Sequence, residues 1–263
     1  MITCRLKGGL GNMMFQIAFL EYEGKKNNFQ TGYWNVNQNI QHLNNDKLHN
    51  PKLNHATEYL KIFKNFNWHK TAAQPTYENV IPFHSEPFKV ADNTSYDGYF
   101  QSEQYFPDRN FILNLFQPSE FINQQLVKYN NLLKGVTCSI HVRRGDYLKF
   151  GLHAVRDMEY YQKGMDRVGN VDNYLIFSDD LDWCKKNFIG DKFVFIDNEK
   201  DYVELFLQSK CTHNIISSSS FSWWGAYLNQ GIDKKVIGPA QWFTTPKPNG
   251  QKENILPERW QLI

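Results

Sequence analysis

The spacing of apolar residues changes along the 263-residue chain. ITCRL (2–6) alternates apolar and polar positions, as a half-buried strand does. KGGLGN follows, and from Met14 the apolar Ile17, Ala18, Leu20 and Tyr22 take helical spacing. The reading is a strand, a glycine-rich turn and a helix opening just after the glycines. Residues 35–70 hold nine asparagines and show no clean period. YDGYFQSEQYFP (96–107) reads as an aromatic, turn-like stretch. Pro118–Ser119 then opens a predicted helix with Ile122, Leu126, Tyr129 and Leu133 on one face, closed by Gly135.

The second half is more regular. Short apolar runs at 138–142, 174–178, 192–197, 213–217 and 235–239 predict strands. Between them, 157–168, 181–188, 199–210 and 221–229 predict helices. Continuous apolar strands alternating with helices indicate a parallel sheet covered on both faces, a doubly wound α/β domain. The expected division is 1–134 and 135–263, with no internal repeat and no low-complexity linker.

Ligands of open α/β sheets bind outside the carboxyl ends of the strands. Three polar clusters follow predicted strands: HVRRGDY, FSDD and SSSSFSWWG. Arg143 and Arg144 offer planar forks suited to phosphate, Gly145 a sharp backbone turn, and Asp146 a partner for one guanidinium. The plain alternative is a surface turn with a local ion pair. Asp179 and Asp180 suit a divalent metal, a base or ribose, or the cap of the following helix. The serines place hydroxyls and N–H groups at a helix start, where anions bind, although capping also explains one of them. Trp223 and Trp224 read as core residues. GGLGN lacks the third glycine of a dinucleotide fingerprint and the Gly-Lys-Ser/Thr of a P-loop, so it indicates only a close backbone approach. The RGD at 144–146 is a chance tripeptide on this reading. His42, His49, His55, His69 and His84 lack ligand spacing and read as surface residues, and His213 as structural.

Composition narrows the class. The chain is 41% hydrophobic and 21% charged, ordinary for a globular protein, and its 16% aromatic content suits a core or sugar-binding faces. A net charge of +2 without a Lys/Arg block argues against a nucleic-acid partner. Cys4, Cys138, Cys184 and Cys211 show no C-x-x-C pair and read as reduced thiols. No signal-peptide pattern and no transmembrane segment is evident. The expectation is a cytoplasmic protein, with peripheral attachment at the inner membrane face left open.

GGLGNMMFQIA, GYFQSEQYF, HVRRGDY, EYY, FSDDLDWCKK, SSSFSWWGAYLN, VIGPAQWF and ILPERW occur in this order. Together they resemble the α-1,2-fucosyltransferases of glycosyltransferase family 11, essentially end to end. The resemblance implies an α/β, GT-B-like fold of two facing Rossmann-like domains: an acceptor-side domain (1–134) and a GDP-sugar-binding domain (135–263). It implies inverting transfer of L-fucose from GDP-β-L-fucose, a co-substrate, to the 2-hydroxyl of a β-galactoside. No metal and no other cofactor is implied, and the partner is a galactose-terminated glycan. Arg143 resembles the arginine that grips the donor phosphates, with Arg144 beside it, and His141 and Asp180 resemble guanosine-binding positions. Ser219, Ser220 and Phe221 resemble the phosphate loop; Gly9, Gly11 and Asn12 resemble the N-terminal loop that faces the donor. Arg143, His141 and Asp146 are the catalytic candidates, and His153 and Glu103 are further candidates for a general base. Met13 and Ser218 depart from the family pattern, which has Gln and Asn there. Alternatives are a fucosyltransferase of another linkage and a non-catalytic nucleotide- or glycan-binding protein on the same fold.

Overall fold

A computed structural model describes residues 1–34, 56–82, 86–151, 153–245 and 254–263. His42, His49, His55 and His84 lie outside the described residues. Contacts divide the described chain into two compact units, one up to Phe121 and one from Ile122. Residues 122–134, placed before the boundary by the sequence, go with the second unit; there the Tyr129 hydroxyl donates to Glu199 at 2.7 Å.

The first unit comprises β1 (Ile2–Arg5), α1 (Leu10–Asn27), β2 (Thr31–Trp34), α2 (Ala56–Tyr59), β3 (Asn79–Val80), β4 (Ser95–Asp97) and α3 (Arg109–Leu115). Its four described strands are all parallel, in the order β2-β1-β4-β3. The stretch from Tyr96, read as turn-like, therefore begins as strand and turns only after Asp97. Helix α1 opens at Leu10, earlier than the apolar spacing indicated, so Gly11 is already helical. Phe19 stacks on Phe100 at 3.9 Å, centring an aromatic core that includes Tyr96 and Tyr105.

The second unit begins inside α4 (Glu120–Leu126) and continues with β5 (Thr137–Val142), α5 (Tyr147–Phe150), α6 (Met158–Val168) and β6 (Asn173–Ser178). There follow α7 (Leu181–Asn187), β7 (Phe193–Phe195), α8 (Asp201–Lys210), β8 (His213–Ile215), α9 (Ser220–Leu228), β9 (Val236–Gly238) and β10 (Gln261–Leu262). The six strands are parallel, in the order β10-β9-β8-β5-β6-β7. This is the doubly wound sheet the sequence predicts. Every residue of β5 is buried, as a central parallel strand requires. Ile140, Ile176, Ile215 and Ile237 come from adjacent strands, and Tyr161 and Met165 of α6 cover them. Trp223 and Trp224 are buried as expected, and the Trp223 indole N–H donates to the Ile255 carbonyl at 2.8 Å.

Helix α4 does not extend to Leu133. It tightens into a 3₁₀ turn at Val127–Tyr129, leaving Tyr129 and Leu133 half-buried. Gly135, at φ 85°, instead turns the chain into β5, where the Asp172 carboxylate accepts the Val136 N–H at 2.7 Å. The four cysteines are free and buried, and His213 lies in β8 with Nδ1 accepting the Lys235 N–H. No described helix is long and apolar enough to cross a membrane.

Candidate functional site

In the second sheet, β6 and β7 extend to one side of β5 and β8 to β10 to the other. The carboxyl edge at β5/β8 is thus the topological switch point, where ligands of such sheets bind. His141, Arg143 and Arg144 leave β5 at this edge, and the serine loop leaves β8 beside them.

The parallel register sets Val142 beside Ser178, so the two arginines emerge level with the two aspartates that follow β6. Arg143 Nε lies 3.3 Å from Asp179 Oδ2, and Arg143 Nη2 lies 2.7 Å from Asp146 Oδ1. Burial opposes the guanidinium charge, but Asp179 and Asp146 outweigh it and raise the Arg143 pKa. Its side chain keeps 19% exposure. Asp179 also accepts the Arg144 N–H at 2.9 Å, and burial raises its own pKa despite Arg143. Gly145 is required for space: a Cβ there would come within 2.7 Å of Asp179 Oδ2. Its φ is not positive, so the sharp turn expected of it is not the reason for glycine.

Arg144 is committed elsewhere. Its Nε meets Asp180 Oδ2 at 3.2 Å, and its guanidinium lies 4.2 Å from the centre of the Trp183 ring. Asp180 also caps α7, accepting the Trp183 N–H at 3.1 Å. Capping and ion pairing are therefore the contacts Asp180 makes within the fold. Among the described residues no three His, Cys, Asp or Glu side chains are grouped to hold a metal ion.

The serine loop is built from specific contacts. Ser217 Oγ is 2.8 Å from His141 Nδ1, which ties the ends of β8 and β5 together. Ser219 caps α9 through the Phe221 N–H, and Ser220 opens the helix, half-exposed. The first-turn N–H groups of α9 thus face the same edge as Arg143, an arrangement that favours an anion. Burial pushes the His141 imidazole down to about 3, with Arg143 adding to the effect, so the ring is neutral. Its ring lies 5.5 Å from that of Phe221.

Several contributors carried little signal in the sequence. Arg156 donates to Ser218 Oγ at 3.2 Å and to the Gln241 carbonyl, bracing the loop at its departure from the family pattern. Tyr147 donates to the Ser218 carbonyl at 3.0 Å and lies under Arg143. Arg156 is a lone arginine before a helix, and no pattern marked it. Of the base candidates, Asp146 is held by Arg143, while His153 stacks on Tyr147 at 4.5 Å and burial lowers it to about 4. Glu103 belongs to the first unit, in a 3₁₀ turn.

In the first unit, Gly9 is the N-cap of α1 and Gly8, at φ 77°, is the glycine that turns the chain. Asn12 packs over Gly8, where a Cβ would come within 2.6 Å of it, and accepts the Gln101 amide N–H at 2.7 Å. The buried Gln16 fixes this turn, pairing with both the N–H and the carbonyl of Lys7 at 3.0 and 3.2 Å. Met13 is buried and apolar, so this departure supplies packing.

The family model described as Glycosyl transferase family 11 matches residues 1–263. The O-antigen biosynthesis glycosyltransferase WbnK of Escherichia coli is 28% identical, with 99% of this chain and 99% of the relative covered. An Escherichia coli alpha-1,2-colitosyltransferase is 29% identical, with 100% and 98% covered. The solved fucosyltransferase NodZ from Bradyrhizobium matches with a TM-score of 0.52 at 11% identity, over 85% of this chain and 92% of its own. That likeness shows the fold, an α/β architecture of the GT-B type with parallel sheets.

The buried histidines make stability pH-dependent. As pH falls from about 6.5 toward 3, the unfolded His141 takes up a proton that the folded ring refuses, and stability drops. His153 adds a loss that ends nearer pH 4. Histidine NMR of the folded protein should show both rings neutral at pH 6. An imidazolium signal for His141 at that pH contradicts the burial account.

Proposed function

The chain belongs to glycosyl transferase family 11, and we propose that it moves L-fucose from GDP-β-L-fucose to the 2-hydroxyl of a β-galactoside with inversion. The observation that carries this reading is the partly exposed Arg143, held by Asp146 and Asp179 at the switch point beside the serine-capped start of α9. Negative charge develops on the leaving diphosphate as the glycosidic bond breaks, and a preorganised donor aimed at it lowers the barrier. In this reading Arg143 and the first-turn N–H groups of α9, with Ser219, Ser220 and Phe221, take the part that a divalent ion plays elsewhere.

Arg144 serves as a brace, since Asp180 and Trp183 already engage it. His141, neutral and fixed through Ser217, is assigned with Asp180 to the guanosine by the resemblance. Asp146 orients Arg143 instead of taking a proton from the acceptor. Gly9, Gly11 and Asn12 are assigned to the donor by the resemblance alone. The acceptor hydroxyl attacks the opposite face of an oxocarbenium-like sugar, its oxygen bonding to the anomeric carbon as the bond to the diphosphate breaks, and its proton is released to solvent.

A second reading is favoured by the full-length relative named as an alpha-1,2-colitosyltransferase: the same site would transfer a colitosyl group. Incubation with GDP-fucose and lactose, followed by product NMR, decides between the two. The proposal predicts an α-1,2-linked fucosyl product. Turnover with a colitosyl donor and none with GDP-fucose supports the second reading. Fucose on another hydroxyl refutes the linkage, and GDP binding without transfer to any sugar favours a binding protein.

Arg143→Ala should lower turnover roughly 10²–10³-fold, as loss of one transition-state donor does. Arg143→Lys should also fail, because an ammonium cannot pair with two carboxylates and a phosphate as a planar fork does. Near-normal turnover of a folded Ala variant removes Arg143 from the mechanism.

A further inference from the structure

One residue touches both halves of the edge at β5/β8. Tyr147, the first residue of α5, places its ring under Arg143, with the guanidinium carbon 5.4 Å from the ring centre. Its hydroxyl reaches the serine loop and donates to the Ser218 carbonyl at 3.0 Å. Burial raises the Tyr147 pKa, so the hydroxyl keeps its proton and acts as a donor. Ser218 is fully buried and directly precedes Ser219, the N-cap of α9. Its Oγ accepts from Arg156 Nη2 at 3.2 Å. Ser218 is thus gripped twice, by its carbonyl and by its hydroxyl.

The segment after β9 backs both grips. Arg156 Nη2 also donates to the Gln241 carbonyl. The Tyr147 ring stacks on His153 at 4.5 Å, and the His153 ring lies 5.0 Å from that of Phe243, its partner in an antiparallel bridge. Thr244 Oγ1 donates to the Gly151 carbonyl and ties the same two segments. Arg143, Tyr147, His153 and Phe243 therefore form one stack that runs from the cation to residues 241–244.

The helix start shows what this grip fixes. The Phe221 N–H is taken by Ser219 Oγ at 3.3 Å, while the Ser220 and Ser222 N–H groups have no hydrogen-bond partner among the described residues. Such groups serve an anion only when the backbone before them is correctly oriented. Preorganised donors stabilise developing charge because they need not move, and a misplacement of ~1 Å costs on the order of 10²-fold.

We propose that Tyr147 and Arg156 are positioning residues for the transfer, gripping Ser218 so that Arg143 and the start of α9 hold one diphosphate together. The inference rests on the donor reading above in taking that anion to be the diphosphate of GDP-fucose. Neither residue is catalytic: Arg156 acts through Ser218, and Tyr147 through Ser218 and Arg143.

Calorimetry with GDP, steady-state kinetics and thermal melts of the full chain test the wild type, Tyr147→Phe, Arg156→Ala, Ser218→Ala and the double variant Arg156→Ala/Ser218→Ala. Phenylalanine keeps the ring under Arg143 and removes only the hydroxyl. Tyr147→Phe should lose roughly 3–10-fold in GDP affinity, the scale of one neutral hydrogen bond, and Arg156→Ala about 10-fold, the scale of one to a charged group. In both, the donor KM should rise and kcat fall while the acceptor KM holds. Since Arg156 acts through Ser218, the double variant should bind GDP within about twofold of Arg156→Ala alone. GDP affinity and donor KM unchanged in both single variants, whatever the melts show, assign the two residues to folding and overturn the proposal. Full additivity of the Arg156 and Ser218 substitutions overturns it as well. Absence of GDP binding by the wild type overturns the donor reading and this proposal with it, whereas wild-type binding beside unchanged variants overturns the proposal alone. If Arg156→Ala does not fold, the near-isosteric Tyr147→Phe decides.

Discussion

A guanidinium largely withdrawn from water has to be paired, and at the second sheet that requirement shapes everything around it. Arg143 is matched by Asp146 of its own turn and by Asp179 of the neighbouring strand end. The register that sets Val142 beside Ser178 makes the second pairing possible, and it also delivers Asp180 to Arg144. Gly145 is the cost of that closeness, since a side chain there would occupy the place of the Asp179 carboxylate. RRGD and FSDD are therefore halves of one device. One arginine is clamped between two carboxylates, and the other is fixed against Asp180 and Trp183.

The two units follow one plan. Each places a parallel pair at its centre, β1/β4 and β5/β8, with the remaining strands running outward from it. In the second unit the pair is tied at its carboxyl end by His141 and Ser217; in the first it is tied by Lys7, Arg5 and Asp97. The second edge gathers a half-buried cation and a helix start; the first gathers paired charges and amides.

The core strands were legible in the sequence because parallel strands buried on both faces, such as CSIHV and YLIFS, read as continuous apolar runs. The helices between them, capped by Asp157, Asp180 and Ser219, fell close to their predicted ends. Local signals failed where distant partners decide the outcome. Leu133 fits the apolar face of a longer helix, yet the chain tightens after Leu126. In the sequence Asp180 reads as cap, metal ligand or base contact, and its neighbours show that it caps α7 and pairs with Arg144. Arg156 carries no motif, and Gln16 lies in one that assigns it no role; each matters through a contact with a turn that the sequence does not reveal. The charge cluster at Asp97 joins residues some 90 positions apart, Lys7 and Asp97, and only β1–β4 pairing brings them together.

Hydrogen–deuterium exchange of the full chain, with and without GDP and with EDTA throughout, tests the central claim most directly: that the β5/β8 edge holds a nucleoside diphosphate through Arg143 and the start of α9. The account predicts slowed exchange in residues 143–147 and 218–222 on adding GDP, in EDTA as in buffer. Protection confined to other segments, or protection that appears only after a divalent metal is supplied, would contradict it.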